Sequence, residues 1–197
     1  HGCSRRQRQM CIRDRQETLK GNIMTKQALI VIDIQNDYFA DGKYPLYQPE
    51  TTTAKNLEAM AIANAKNIPI IHIQHLVSPE LGEGLFFYDE SEGAKIHKDI
   101  MAAAPTSPIV VKRHADCFEK TNLEELLQGM EVEEIVLTGM MTHNCVTHTA
   151  LSPAAEKYTP KVIEECCCTV DPIAHALAVN SMQVRGIPMV SIENAFV

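Results

Sequence analysis

Residues 135–147 read Ile135-Val136-Leu137-Thr138-Gly139-Met140-Met141-Thr142-His143-Asn144-Cys145-Val146-Thr147. The opening run is short, β-branched and closed by a glycine, so it predicts a buried strand, and the stretch after Cys145 is compatible with a helix. This step from strand to loop to helix delivers Cys145 to a helix start, where unpaired N–H groups and the helix dipole favour thiolate over thiol. Taken alone, the same residue could be a buried cysteine acting as a small hydrophobe.

Working outward, apolar segments recur at Ala28 to Ile32, Ile68 to Ile73, Ile109 to Val111, Val162 to Cys168 and Pro188 to Ile192, with helical patterns between them. This is the βαβ rhythm of a parallel sheet covered on both faces, an α/β domain. The first helix is expected to start near Thr51 to Thr53 and to turn Leu57, Met60, Ala61 and Asn64 toward the core. Thr121-Asn122-Leu123-Glu124 has the pattern of a capping box, and Gly129 is a plausible stop for the helix it opens. Asp171 with Pro172 opens a last helix that ends near Gly186. The segment from Val77 to Lys98, carrying Gly82, Gly84 and Gly93, is the longest irregular piece and a candidate lid or oligomer contact.

A chain of 197 residues fits one such domain with a real core. Residues 1–23 hold six of the 18 basic residues and two of the 25 acidic ones, which leaves 12 bases against 23 acids in the remainder. An acidic body lacks the clustered basic face that nucleic acid or an anionic membrane needs, so a small-molecule substrate is expected. No apolar stretch approaches the roughly 20 residues that cross a bilayer, and a cytoplasmic location is expected. Residues 1–23 lack periodicity and precede Met24, so they read as a non-native or disordered extension, with the domain at residues 24–197. Seven cysteines, three of them adjacent at Cys166, Cys167 and Cys168, do not suggest a secreted disulfide framework. Cys166 and Cys168 lie on one face of a strand and Cys167 on the other, a packing pattern.

Three chemically able side chains end or follow apolar runs: Asp33 after Ile30-Val31-Ile32, Lys112 after Ile109-Val110-Val111, and Cys145. All three thus fall at the carboxyl edge of strands, where open α/β sheets bind ligands. A carboxylate, an ammonium and a thiol make a hydrolytic set: base, charge stabiliser and nucleophile. Separately, Asp33 could cap a turn and Lys112 could reach solvent. His72 and His75 differ by three along a strand, point to opposite faces and cannot easily share an ion. No metal or cofactor is expected, and the two histidines are read as surface or core residues. His143 invites a Cys/His dyad, but Asp33 already supplies a base; His114 and Asp116 read as loop polar groups. Tyr38, Phe39, Phe86, Phe87 and Phe118 could line an apolar pocket or form core or subunit contacts.

These residues resemble the isochorismatase-like cysteine hydrolases, which include nicotinamidases and N-carbamoylsarcosine amidases. The resemblance spans roughly Lys26 to Val197. It rests on Asp33-Ile34-Gln35-Asn36-Asp37, Glu92-Gly93-Ala94-Lys95-Ile96-His97, Lys112 followed by Phe118, and Gly139-Met140-Met141-Thr142-His143-Asn144-Cys145-Val146. It implies a three-layer α/β/α fold with a six-stranded parallel sheet ordered 3-2-1-4-5-6. It also implies Asp33 as base, Lys112 as its partner and Cys145 as the nucleophile of a thioester-type intermediate. A cis peptide between Met140 and Met141 would aim the amides of Met141 and Cys145 at the oxyanion. Gln35, Tyr38, Phe39 and Phe118 are the substrate-binding candidates, and relatives of this kind assemble as homo-oligomers. Nicotinamidases carry an Asp-x-His metal site where this chain has His72-Ile73-Gln74-His75. Cys145 favours cleavage of an amide-like C–N bond over isochorismate-type vinyl-ether hydrolysis. A non-catalytic, redox-responsive thiol protein on the same fold is the other alternative, because Pro153 falls inside the helix expected after Cys145 and would kink or end it.

Overall fold

The strand at Gln27–Ile32 (β1) is buried at all six positions, as a continuous apolar run must be with strands on both sides and helices on both faces. A computed structural model describes residues 25–77 and 85–196 of the chain. The extension expected at residues 1–23 lies outside the described residues, as does the 78–84 part of the expected lid. β1 pairs in parallel with β2 (Ile70–His75) on one side and β4 (Glu134–Met140) on the other. β3 (Ile109–Lys112), β5 (Lys161–Cys168) and β6 (Met189–Val190) complete a six-stranded parallel sheet, ordered β3-β2-β1-β4-β5-β6. The 3-2-1-4-5-6 order and the α/β class are therefore as expected.

Two apolar layers sandwich the sheet. One gathers Leu29, Val31, Ile70, Val136 and Ile163 under α1 (Pro49–Ala65) and α2 (Lys98–Ala103). The other gathers Ala28, Ile30, Ile32, Ile71, Ile135 and Leu137 under α3 (Leu123–Gly129), α4 (Thr147–Ala150) and α5 (Pro172–Val184). A last turn, α6 (Ile192–Ala195), returns to the first layer through Ile192 and Ala195. Cys166 and Cys168 pack into the first layer and Cys167 into the second, which is the alternation of a strand. No helix among the described residues is long and apolar enough to cross a membrane.

Two helix readings need correction. α1 begins at Pro49, ahead of the expected Thr51 to Thr53, and buries Thr52, Thr53, Asn56, Ala59, Met60 and Ala63, whereas Ala61 and Asn64 are exposed. Hydrogen bonds to backbone carbonyls offset the burial of its polar members: Thr53 donates to the Pro49 carbonyl, and Asn56 Nδ2 donates to the carbonyls of Thr52 and Cys166. Leu123 N does donate to Thr121 Oγ1, but Asn122 is the residue that precedes α3 and its side chain caps nothing. Asp171 behaves as read, accepting from Ile173 N and Ala174 N at the start of α5.

Register then fixes the carboxyl edge. Ile32 of β1 stands opposite Ile73 of β2 and Gly139 of β4, and His75 of β2 stands opposite Lys112 of β3. Gly139 has φ +117°, and a Cβ there would lie 2.0 Å from the Ile32 carbonyl oxygen. Only glycine allows β4 to pass this close to the end of β1. Gly139→Ala is expected to lower unfolding free energy by at least roughly 2 kcal/mol in urea titration.

Candidate active site

The cluster forms because four strand ends converge. Asp33 follows β1 at φ +50°, and its amide still bonds the Ile73 carbonyl of β2. His75 and Lys112 are the last residues of β2 and β3. Beyond β4 the Met140–Met141 peptide is cis, and a turn of π-helix at Thr142–Val146 carries Cys145.

Lys112 Nζ lies 2.8 Å from Asp33 Oδ2 and 3.1 Å from Cys145 Sγ, with the side chains of Lys112 and Asp33 both fully buried. It also lies 2.9 Å from His75 Nδ1 and 3.1 Å from the His114 carbonyl oxygen. His75 Nδ1 is 3.7 Å from both Asp33 Oδ2 and Cys145 Sγ. The three residues singled out at the strand ends are thus brought together, and His75 joins them. Among the described residues, and apart from the ion pair, no hydrogen bond of normal geometry reaches either Asp33 oxygen, which leaves lone pairs to receive a proton.

Burial and charge decide which groups are ionised. Burial pushes the Asp33 carboxyl up, but the Lys112 charge, with His75 and Cys145 acting in the same direction, holds it below the ordinary carboxylate value. Burial alone would lower Lys112; Asp33 and Cys145 instead hold its ammonium above the ordinary value. The Cys145 thiol is pushed well up by burial and by the Asp33 charge, against the pull of Lys112. The resting cluster is carboxylate, ammonium and thiol. This overturns the expectation that a helix start keeps Cys145 as thiolate. α4 after the π turn is four residues long and stops before Pro153, too short a dipole to outweigh burial beside a carboxylate.

Asp33, His75 and Cys145 each offer a ligand atom, all within 4.8 Å of one another. An ion among them does not fit the residues present, because the Lys112 ammonium stands 2.8, 2.9 and 3.1 Å from those same atoms. His72 goes elsewhere, buried with Nε2 3.0 Å from the Ala104 carbonyl. His143 pairs with Thr169 at the end of β5, His114 Nδ1 lies 3.7 Å from Glu119, and Asp116 accepts from Phe118 N.

The Asp33–Asp37 opening is set in a mould made by residues 85–97. Gln35 is fully buried; its Oε1 accepts from His75 N, and its Nε2 donates to the carbonyls of His75 and Ala94. Its amide is therefore fully engaged within the protein and fixes the His75 backbone. Asp37 accepts from Phe87 N and Lys43 N, Asn36 Nδ2 donates to the Glu92 carbonyl, and His97 N donates to the Ile34 carbonyl. A Cβ on Gly93 would fall 2.0 Å from Asp37 Oδ1, which explains the glycine. The described part of the expected lid is thus built into the core, with Phe87 and Ala94 buried.

Among the aromatic candidates, Tyr38 is buried against Phe86 and Phe87, with ring centroids at 5.3 and 4.6 Å. Phe39 stacks on His97 at 4.5 Å, and Phe118 lies parallel to Tyr158 at 6.1 Å. A cavity of about 520 Å³ lined by Thr52, Glu164, Cys168, Asp171 and His175 lies beside the ends of β5 and α5, and Cys145 is not part of its wall. Sequence reasoning missed His75. The signal was present, since His75 lies two residues past the apolar run that ends at Ile73, at the same carboxyl edge that Asp33 and Lys112 reach from theirs.

Comparison with known proteins agrees with this architecture. The isochorismatase domain model matches residues 27–194. The uncharacterized isochorismatase family protein YddQ of Bacillus subtilis is 34% identical over 72% of this chain and 77% of its own length. Maleamate amidohydrolase of Pseudomonas putida is 28% identical over 72% of this chain and 71% of its own. A crystal structure from Oleispira antarctica assigned to the isochorismatase hydrolases superposes with a TM-score of 0.76 at 28% identity, covering 86% of this chain and 95% of that one. A match that runs from the first strand to the last helix makes this chain an isochorismatase-family hydrolase.

Proposed function

We propose that the chain hydrolyses a small amide-like C–N bond, with Cys145 as nucleophile, Asp33 as general base and Lys112 as the charge that holds them. The observation that carries this reading is the Lys112 ammonium, 2.8 Å from Asp33 Oδ2 and 3.1 Å from Cys145 Sγ. As the sulfur attacks the carbonyl carbon, Asp33 takes the thiol proton. The developing thiolate charge is met by Lys112, and the oxyanion by the amides of Met141 and Cys145. The Met141 carbonyl accepts from Asn144 N and Val146 N, the amides on either side of Cys145, which supports a turn shaped for that task.

Collapse of the tetrahedral intermediate breaks the C–N bond, and Asp33 returns its proton to the leaving nitrogen. A thioester on Cys145 remains. Water then attacks it, with Asp33 accepting the water proton and passing it back to sulfur as the acid departs. A positive charge is already in place at Lys112, so the reaction is read as metal-independent. The likeness to maleamate amidohydrolase, which acts on an amide, supports this reading over vinyl-ether cleavage.

Incubation with a panel of small amides, followed by ammonia release, tests the proposal. Cys145→Ala is expected to reduce turnover at least roughly 1,000-fold, and turnover that persists in this variant rejects the thiol mechanism. The buried pair has its own test. Asp33→Ala strands the Lys112 ammonium and should cost about 3–5 kcal/mol, while Asp33→Ala with Lys112→Met should recover most of it in urea titration. Because the folded-state carboxyl lies below its ordinary value of 3.8, this stability is full above that value and is lost as pH falls through the lowered one. A melt series into acid with wild type and Asp33→Ala should converge there.

A further inference from the structure

Lys112 has three N–H groups and, among the described residues, four polar contacts at Nζ. The Asp33 carboxylate and the His114 carbonyl are fixed acceptors, at 2.8 and 3.1 Å. Cys145 Sγ, at 3.1 Å, needs a donor most when it carries negative charge. The fourth neighbour is His75, whose Nδ1 at 2.9 Å can accept from the ammonium only while that nitrogen bears no proton. Its surroundings fix the backbone that carries the ring to this contact. Gln35 clamps both the N–H and the carbonyl of His75, and β2 register places the residue directly beside Lys112. The His75 side chain is 21% exposed, whereas those of Asp33 and Lys112 are sealed, so it is the member of the cluster that solvent protons reach.

Resting on the amide reaction above, we propose that His75 is a positioning residue acting through Lys112. Unprotonated at Nδ1, it accepts one N–H and keeps the ammonium against Asp33 and Cys145; a proton on Nδ1 puts two donors face to face and releases Lys112. Among the described residues, the charged and titratable groups that face His75 are Asp33 from the end of β1, Lys112 from β3 and Cys145 from the turn after β4. Asp33 titrates below its ordinary value, and Lys112 and Cys145 above theirs. Imidazole is the side chain whose ordinary charge change falls between about pH 5 and 8. The form with no proton on Nδ1 is the competent one, because only it can accept from the Lys112 ammonium. A role for His75 as the thiol's base fits less well, because Nδ1 lies closer to Lys112 Nζ than to Cys145 Sγ, at 2.9 against 3.7 Å.

The test measures kcat and KM from about pH 5 to 8 in wild type, His75→Ala and His75→Asn. Asparagine can offer an oxygen near the place of Nδ1 and takes up no proton. His75→Ala is expected to lose at least about tenfold in kcat with KM changed less than about twofold. His75→Asn should recover at least about threefold over His75→Ala, and the acid limb of wild type should be absent from it. An acid limb that persists in His75→Asn, an asparagine variant as slow as the alanine one, or a wild-type kcat in His75→Ala overturns the proposal. A second readout needs no amide substrate. Alkylation of Cys145 by iodoacetamide at about pH 7.5, read by mass spectrometry, should be slower in His75→Ala than in wild type, with His75→Asn between them. Equal alkylation rates overturn the role of His75, whereas a wild type that alkylates as expected but cleaves no amide overturns only the proposed reaction.

Discussion

A lysine ammonium and an aspartate carboxylate, both sealed from water, are the constraint on which this molecule is arranged. Removing two charges from water costs more than their attraction returns unless the geometry is close and the remaining protons find acceptors. The fold meets that demand at one place. Parallel register sets Lys112 beside His75, the β1–β2 pairing carries Asp33 to the same height, and Gly139 lets β4 approach without a side chain in the way. The neighbouring thiol then stays protonated beside a carboxylate that stays ionised, which is the proton arrangement a base-assisted attack starts from.

The carboxyl-edge cluster was largely legible in the sequence because Asp33, Lys112 and Cys145 are each announced by an apolar run that must be a buried strand. Parallel pairing brings such ends together whatever the intervening loops do. His75 carried the same announcement and was passed over, because its spacing from His72 was weighed for shared ligation and not for its place at the end of β2. The layer order came from the likeness of the motifs, not from periodicity, since strand order depends on contacts distant in sequence.

What was misread has a common cause. The core face of α1 carries Thr52, Thr53, Asn56 and Ala63 beside the expected Met60, and hydrogen bonds from Thr53 and Asn56 to backbone carbonyls make their burial acceptable, so counting hydrophobic residues identified that face only in part. The thiolate expectation weighed a local dipole and omitted tertiary burial, which wins when the helix is one turn long. The segment around Phe87 reads as irregular and glycine-rich, yet its backbone groups are the partners of the Asp33–Asp37 opening. Irregular backbone can be as strictly specified as a strand when it supplies acceptors to buried side chains.

That last arrangement bears on how relatives with this opening can diverge. Between Phe87 and His97 the chain serves as a template on which Gln35, Asn36 and Asp37 are cast, and Gly93 is kept bare by a carboxylate that would collide with any methyl group. Insertions or substitutions there would disturb the reactive cluster before they altered what it accepts. The Phe118 and Tyr158 rings, by contrast, belong to the other apolar layer, so a ring exchanged there leaves this template untouched.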